Sequence, residues 1–149
     1  MPTKEKVIPP ELELLNFLIG KWNSVGTIQT DNSEPPVKIK GTDIYEWVLG
    51  GFHILHKVDV MMGNERTEVI EIIGYDNSDK TYTLRSFDNY GTFTTMLAEI
   101  DSNGQMNISG ENMRSTLTVS KSGHQMTAVW EKTEDKKKWL PWIEMNFTK

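Results

Sequence analysis

Two histidines stand three residues apart in the stretch GGFHILHKVDVMMGNERTEVIEIIGYD, residues 50–76. An imidazole titrates near neutral pH, so a histidine held inside a protein can act as an acid or base, orient a ligand or bind a metal. Side chains alternate across a β-strand, and this odd spacing sends His53 and His56 to opposite faces. The one that faces the interior is the candidate for chemistry.

The hairpin turn that follows assigns the two faces. Gly63-Asn64 is a favourable two-residue hairpin loop, and it sets the register of the two strands it joins. Counting back from this turn places His56 opposite Glu71 among apolar neighbours, and it leaves His53 on the outer face. A slip of one residue would bury the charge of Lys57, which is much less favourable. The sequence therefore predicts an inward His56 beside Glu71.

His56 and Glu71 are the candidate catalytic residues. A carboxylate beside an imidazole favours the imidazolium and fixes the tautomer, as in sites where histidine serves as a general base. The alternative is a buried polar pair that is purely structural or that orients a ligand, because no activated nucleophile is identified beside it. A metal site needs three converging ligands, and the third histidine, His124, lies in a turn, so no metal is predicted.

Composition narrows the class of protein. The chain has 149 residues, no cysteine and a formal net charge of -5. That length suits one domain, residues 1–149, in which residues 1–8 are expected to be flexible. The lack of cysteine excludes thiolate chemistry and fits a reducing compartment. With no signal-peptide or membrane-span pattern and an acidic balance, we predict a cytoplasmic protein without nucleic-acid or membrane partners. The sequence does not indicate an oligomeric state.

The remaining pattern predicts an all-β fold. After Pro9 and Pro10, the apolar spacing of ELELLNFLIGKW predicts one short helix. From Trp22 onward, ten segments of strand length are separated by turn-forming stretches, which are DNSEPP, LGG, MGNE, DNSD, DNYG, DSNG, SGEN, SKSG and TEDKKK. So many strands leave exposed edges unless the sheet closes, so we predict an up-and-down antiparallel β-barrel of about ten strands.

Strand alternation predicts which residues line such a barrel. In VKIKGTDIYEWVL the odd-numbered residues, from 37 to 49, face inward. The eighth and ninth strands direct Met113, Ser115, Leu117, Val119, Met126, Ala128 and Trp130 inward. The fifth strand has two alternative inward sets, Tyr82, Leu84 and Ser86 or Thr83, Arg85 and Phe87, and the sixth and tenth strands stay unassigned. The residues predicted to bind a ligand are Tyr45, Trp47, Phe52, Ile54, His56, Val58, Glu71, Ile73, Tyr75 and Trp130.

Several motifs resemble a known superfamily. A short helix leading into Gly20-Lys21-Trp22 resembles the G-x-W motif of the calycins, the lipocalins and their relatives. The segments 49–52, 73–77 and 87–92 are similar to a bacterial calycin-like family catalogued as a domain of unknown function. This resemblance extends from about residue 12 to the end. It implies a barrel of about ten strands with a central cavity, with Trp22 at the closed end and Arg114 stacked on it.

Two relatives in that superfamily carry specific ligand motifs. Nitrobindin-like calycins bind haem through a histidine near the C-terminal strand, and KWLPWIEMNFTK contains no histidine, so neither haem nor another cofactor is expected. Fatty-acid-binding proteins hold the ligand carboxylate with an Arg-x-Tyr pair on the last strand, and residues 146–148 contain neither residue type. The resemblance to both is therefore a distant relation without a shared ligand.

These observations favour a non-catalytic barrel that binds a small, mostly apolar ligand. His56 and Glu71 would orient one polar group of that ligand, because apolar walls with a few polar groups are the usual design of such a pocket. One alternative is an enzyme that uses the same pair as acid and base on a small hydrophobic substrate. Another is a filled barrel that acts as an interaction module through its surface.

Overall fold

The computed structural model describes residues 6–30 and 34–149 and shows a closed antiparallel β-barrel. One short helix, α1 (Pro10–Glu13), and a 3₁₀ turn (Asn16–Leu18) precede the strands. The strands are β1 (Gly20–Ile28), β2 (Val37–Val48), β3 (His53–Met62), β4 (Glu65–Asp76), β5 (Thr81–Asp88), β6 (Phe93–Ile100), β7 (Met106–Ser109), β8 (Met113–Val119), β9 (Gln125–Lys132) and β10 (Leu140–Thr148). Residues 1–5, in the segment predicted to be flexible, and residues 31–33 of the DNSEPP turn lie outside the described residues.

The sheet is continuous around the barrel. Each strand pairs antiparallel with its neighbour in sequence, and β1 also pairs with β10, where Gly26 lies opposite Met145. Closure removes the exposed strand edges that an open ten-stranded sheet would have. The predicted up-and-down barrel with a short N-terminal helix is confirmed.

The N-terminal segment closes one end of the barrel. Leu12, Leu15 and Leu18 are buried, and Trp22 is completely enclosed beneath them. The Trp22 indole Nε1 donates a hydrogen bond to the Leu18 carbonyl oxygen at 2.8 Å. A buried indole keeps its polar edge satisfied in this way while its ring fills the end of the barrel. The expected place of Trp22 at the closed end is confirmed.

The cation above Trp22 is a different residue from the one expected. Lys149 Nζ lies 4.6 Å from the centroid of the Trp22 ring and donates to the Ile19 carbonyl oxygen. The guanidinium of Arg114 instead stacks at 4.2 Å on Trp139 and pairs with Glu131. The expectation was wrong because Arg114 is even-numbered in β8, whose odd-numbered residues face inward.

Gly41, on the inner face of β2, permits a close approach between two strands. A Cβ atom there would lie 2.1 Å from the Asp59 carbonyl oxygen and 2.6 Å from Val60 Cα, both backbone atoms that cannot rotate away. We expect Gly41→Ala to lower the free energy of unfolding by about 3 kcal/mol, because the strands must separate. Urea unfolding measures this loss.

Gly74 in β4 provides the matched control for Gly41. A Cβ atom there would meet only side-chain atoms, the nearest being the His53 ring at 3.0 Å. Since a side chain can move, Gly74→Ala should cost less than about 1 kcal/mol. Equal losses in the two variants would contradict the close approach of β2 and β3.

Candidate functional site

Three adjacent strands bring Asp43, His56 and Glu71 together inside the barrel. In the register of β2, β3 and β4, His56 lies opposite Tyr45 on one side and opposite Glu71 on the other. All three residues are buried. The predicted register around the Gly63-Asn64 turn is confirmed, and so is the inward direction of His56.

The imidazole is held between two carboxylates. His56 Nδ1 lies 2.9 Å from Glu71 Oε1, and His56 Nε2 lies 2.6 Å from Asp43 Oδ2. Ser24 extends the cluster, because its hydroxyl donates to Asp43 Oδ1 at 2.6 Å. The Tyr45 ring stacks on the imidazole with centroids 3.8 Å apart and an interplanar angle of 11°. Residues of the four strands β1 to β4 therefore form one cluster around this ring.

This environment keeps the ring protonated. Burial lowers the pKa of His56, but the hydrogen bonds to Asp43 and Glu71 and the charges of these acids outweigh it and raise the pKa to about 9. At neutral pH the ring is therefore an imidazolium that donates from both nitrogens. The same site raises the pKa of Tyr45 well above its usual value, first by burial and then through the charges of Asp43 and Glu71.

The chemistry open to this cluster is limited by its geometry. A general base or a metal ligand needs a free nitrogen lone pair, and both nitrogens of His56 face carboxylate oxygens. Within residues 6–30 and 34–149, no group of three or more His, Asp or Glu side chains has metal-binding geometry. The arrangement is instead suited to hold charge and hydrogen-bonding groups at one fixed place in an apolar interior.

The cluster lies in the wall of a cavity of about 260 Å³. Apolar side chains form most of this wall, and four of them are the methionines Met62, Met96, Met106 and Met145. The polar groups in the wall are Asp43, Tyr45, His56, Glu71, Ser86 and Ser115. Methionine side chains are flexible and polarisable, so such a wall adapts to ligands of different shape.

Six of the ten residues predicted to bind a ligand line this cavity. They are Tyr45, His56, Val58, Glu71, Ile73 and Trp130. The other four lie elsewhere. Ile54 is completely buried in the core, and Trp47 donates from Nε1 to Asn16 Oδ1 near the closed end. Tyr75 packs against Tyr82, and Phe52 follows the 3₁₀ turn Leu49–Gly51 rather than lying in a strand.

Sequence reasoning missed two parts of the site. It placed Asp43 on the inner face but did not connect it to His56, although an acidic residue on the inner face of a strand is a strong signal, because a buried carboxylate needs a partner. It also did not single out the methionines.

For β5, the inward set is Tyr82, Leu84 and Ser86, so the first alternative is correct.

His53 is on the outer face of the barrel, as predicted, but it is not fully exposed to solvent. Its ring lies over Gly74 and is half-buried there. Its Nδ1 is buried and has no hydrogen-bond partner among the residues that the structure describes. His53 and His56 therefore have separate environments, and only His56 reaches the cavity.

The closed barrel with one capped end and a central cavity fits the calycin-like fold class. Comparison with protein families then identifies the particular group: the chain belongs to the family described as "Protein of unknown function (DUF1579)", whose model matches residues 9–149. The predicted membership of a family without an assigned function is thereby confirmed. The relation to nitrobindin-like and fatty-acid-binding barrels stays a prediction.

Comparisons with individual proteins give information on the fold alone. No curated protein matches this chain. Among solved structures, it is similar to the "Crystal Structure of Rv2717c from M. tuberculosis", with a TM-score of 0.69 over 96% of this chain and 99% of that chain. The two sequences are 7% identical, so the likeness concerns the fold alone. In the described part of this chain, no helix is long and apolar enough to cross a membrane.

Proposed function

We propose that this protein binds a small, mostly apolar ligand in the barrel cavity. The observation that carries the proposal is the cavity itself, an apolar space of about 260 Å³ with hydrogen-bonded polar groups in one part of its wall. A protein interior is normally close-packed, so an unfilled space of this size is unusual without an occupant. The interior also argues against a filled barrel that acts only through its surface.

The cavity volume limits the size of the ligand. An apolar cavity of about 150 Å³ holds one benzene molecule, so a space of this volume suits about ten non-hydrogen atoms. Haem and long fatty-acid chains are larger than this. The ligand we propose is therefore a compact molecule with an apolar body, and its polar group meets the Asp43, His56 and Glu71 cluster.

An enzymatic role for His56 and Glu71 has weaker support. With a pKa near 9 and both nitrogens engaged, His56 can give a proton at neutral pH more readily than it can accept one. The hydroxyl of Ser24 donates to Asp43, but Ser24 is not among the residues that line the cavity, so it does not meet a bound molecule as a nucleophile. Binding without turnover is the function that this geometry supports best.

Filling the cavity tests the proposal. Ala128 in β9 is buried and lines the cavity, whereas the next residue, Val129, is half-exposed on the outer face. Ethylbenzene and phenylethanol serve as neutral probes in ligand-observed NMR titrations. We expect saturable binding to the natural protein, and at least about tenfold weaker binding to Ala128→Phe, because the new ring occupies the ligand's space.

Val129→Phe adds the same ring one residue away on the outside, and it should bind both probes as the natural protein does. Thermal unfolding shows that each variant is folded. Absence of saturable binding to the natural protein would refute the proposal. Unchanged binding in Ala128→Phe would also refute it, since the probes would then bind outside the cavity.

A further inference from the structure

The cavity carries a negative charge that can be counted from contacts. Each of the two contacts between His56 and a carboxylate, at 2.9 and 2.6 Å, requires one proton between nitrogen and oxygen. An imidazolate and two carboxylates together have a formal charge of -3, and two protons reduce it to -1. This total does not depend on whether a proton rests on the ring or on an acid.

No other described residue of the cavity wall carries a positive charge that would balance this one. The described residues that line the cavity include no lysine or arginine. Ser24 gives one hydrogen bond to Asp43, but the described residues form no hydrogen bond to Glu71 Oε2, and Glu71 lines the cavity. An uncompensated charge in an apolar space is unfavourable, so a positively charged donor there is stabilised by pairing with it.

A second polar group lies on the opposite wall. Ser115 in β8 lines the same cavity, is 4% exposed, and has an Oγ atom with no hydrogen-bond partner in the described part of the chain. In the closed order of ten strands, β8 is five positions from β3 in either direction. Buried hydroxyls are normally paired, so this one is a candidate to bind a ligand. Between the two sites, Ser86 in β5 also lines the cavity, but its hydroxyl already donates to the Thr94 carbonyl oxygen.

We propose that the ligand is a small organic amine, bound as its ammonium ion at Glu71 and Asp43, with an apolar body and a second polar group that reaches Ser115. This inference rests on the proposed function and specifies its ligand class. The charge preference of this cavity would be opposite to that of a barrel that binds fatty acids, because a carboxylate would meet like charge here. Four probes of similar size separate the effect of the ligand's charge from that of its second polar group. They are phenethylamine, phenylethanol, phenylacetate and tyramine.

Isothermal titration calorimetry of the natural protein at pH 7 tests the preference of the cavity for a cationic ligand. Phenethylamine is a cation at this pH, and we expect it to bind at least about tenfold more tightly than neutral phenylethanol. Phenylacetate should bind most weakly. If phenylethanol binds and phenethylamine binds no more tightly, the amine inference is overturned while the proposed function stands. If none of the probes binds, the proposed function itself fails.

Two variants test the roles of Glu71 and Ser115 in ligand binding. Glu71→Gln removes one negative charge, so the preference for phenethylamine over phenylethanol should fall to less than about threefold; Asp43→Asn serves if that variant does not fold. Tyramine adds a hydroxyl at the far end and should bind more tightly than phenethylamine to the natural protein. In Ser115→Ala the ratio of these two affinities should fall to about one. A ratio that persists would overturn the role of Ser115, and a preference that persists in Glu71→Gln would overturn the role of the cluster.

Discussion

His56→Ala is expected to lower the free energy of unfolding at pH 7 by about 3–5 kcal/mol, because it strands two buried carboxylates without their shared partner. Asp43 and Glu71 each have a hydrogen bond to the ring that is lost. Tyr45 also loses the ring on which it stacks. Denaturant unfolding of the variant and the natural protein measures the loss.

Two controls show whether the loss arises from the cluster. His53→Ala removes the neighbouring outward ring, whose buried Nδ1 has no partner among the described residues, and should cost about 1 kcal/mol or less. Glu71→Gln should destabilise the natural protein but cost little in the His56→Ala background, because the charge it removes is already unpaired there. Additive effects of the two substitutions would contradict the coupling.

Stability is expected to fall as the pH rises from about 6.5 to about 9. The folded protein raises the pKa of His56 to about 9, from the usual value of 6.5 that the unfolded chain has. The folded state binds this proton more tightly than the unfolded state does, so protonation of His56 stabilises the fold. This stabilisation is complete below pH 6.5 and is lost as the pH rises through 9. A shift of this size corresponds to about 3 kcal/mol.

Unfolding curves at several pH values between 6 and 10 measure this dependence. The matched variant combines His56→Phe, which keeps an aromatic ring beside Tyr45, with Asp43→Asn and Glu71→Gln, so that no carboxylate left without the imidazolium titrates in its place. Its stability should change much less over the same range. Equal slopes in the two proteins would show that another group is responsible. The opposite slope in the natural protein would show that the folded state disfavours the imidazolium.

Much of the fold was predictable because strand alternation and turn chemistry are local properties. The Gly63-Asn64 turn determines the pairing of β3 and β4, and with it the inward direction of His56. The DNSD loop was ambiguous, because its length depends on hydrogen bonds that the sequence does not display. In the structure, Asp76 Oδ1 accepts from the amides of Ser78 and Asp79, and Lys80 adopts a φ of 56° before β5 begins.

The candidate site was less predictable because alternation gives a residue's face but not its height along the barrel axis. Ile54 and Trp47 face inward, yet they lie towards the end that α1 and the 3₁₀ turn fill. Asp43 reaches His56 although it lies directly opposite Val58. Such diagonal contacts depend on how the strands coil around the barrel, which pairing alone does not specify.

Methyl NMR of the methionines during titration with phenethylamine tests the central claim most directly. Met62 lines the cavity, whereas Met61 is exposed on the outer face one residue earlier. Binding inside the barrel predicts saturable shifts of the Met62, Met96, Met106 and Met145 methyl signals and an unchanged Met61 signal. No saturable shift in the cavity methyls, or shifts confined to Met61, would contradict a ligand site in this cavity.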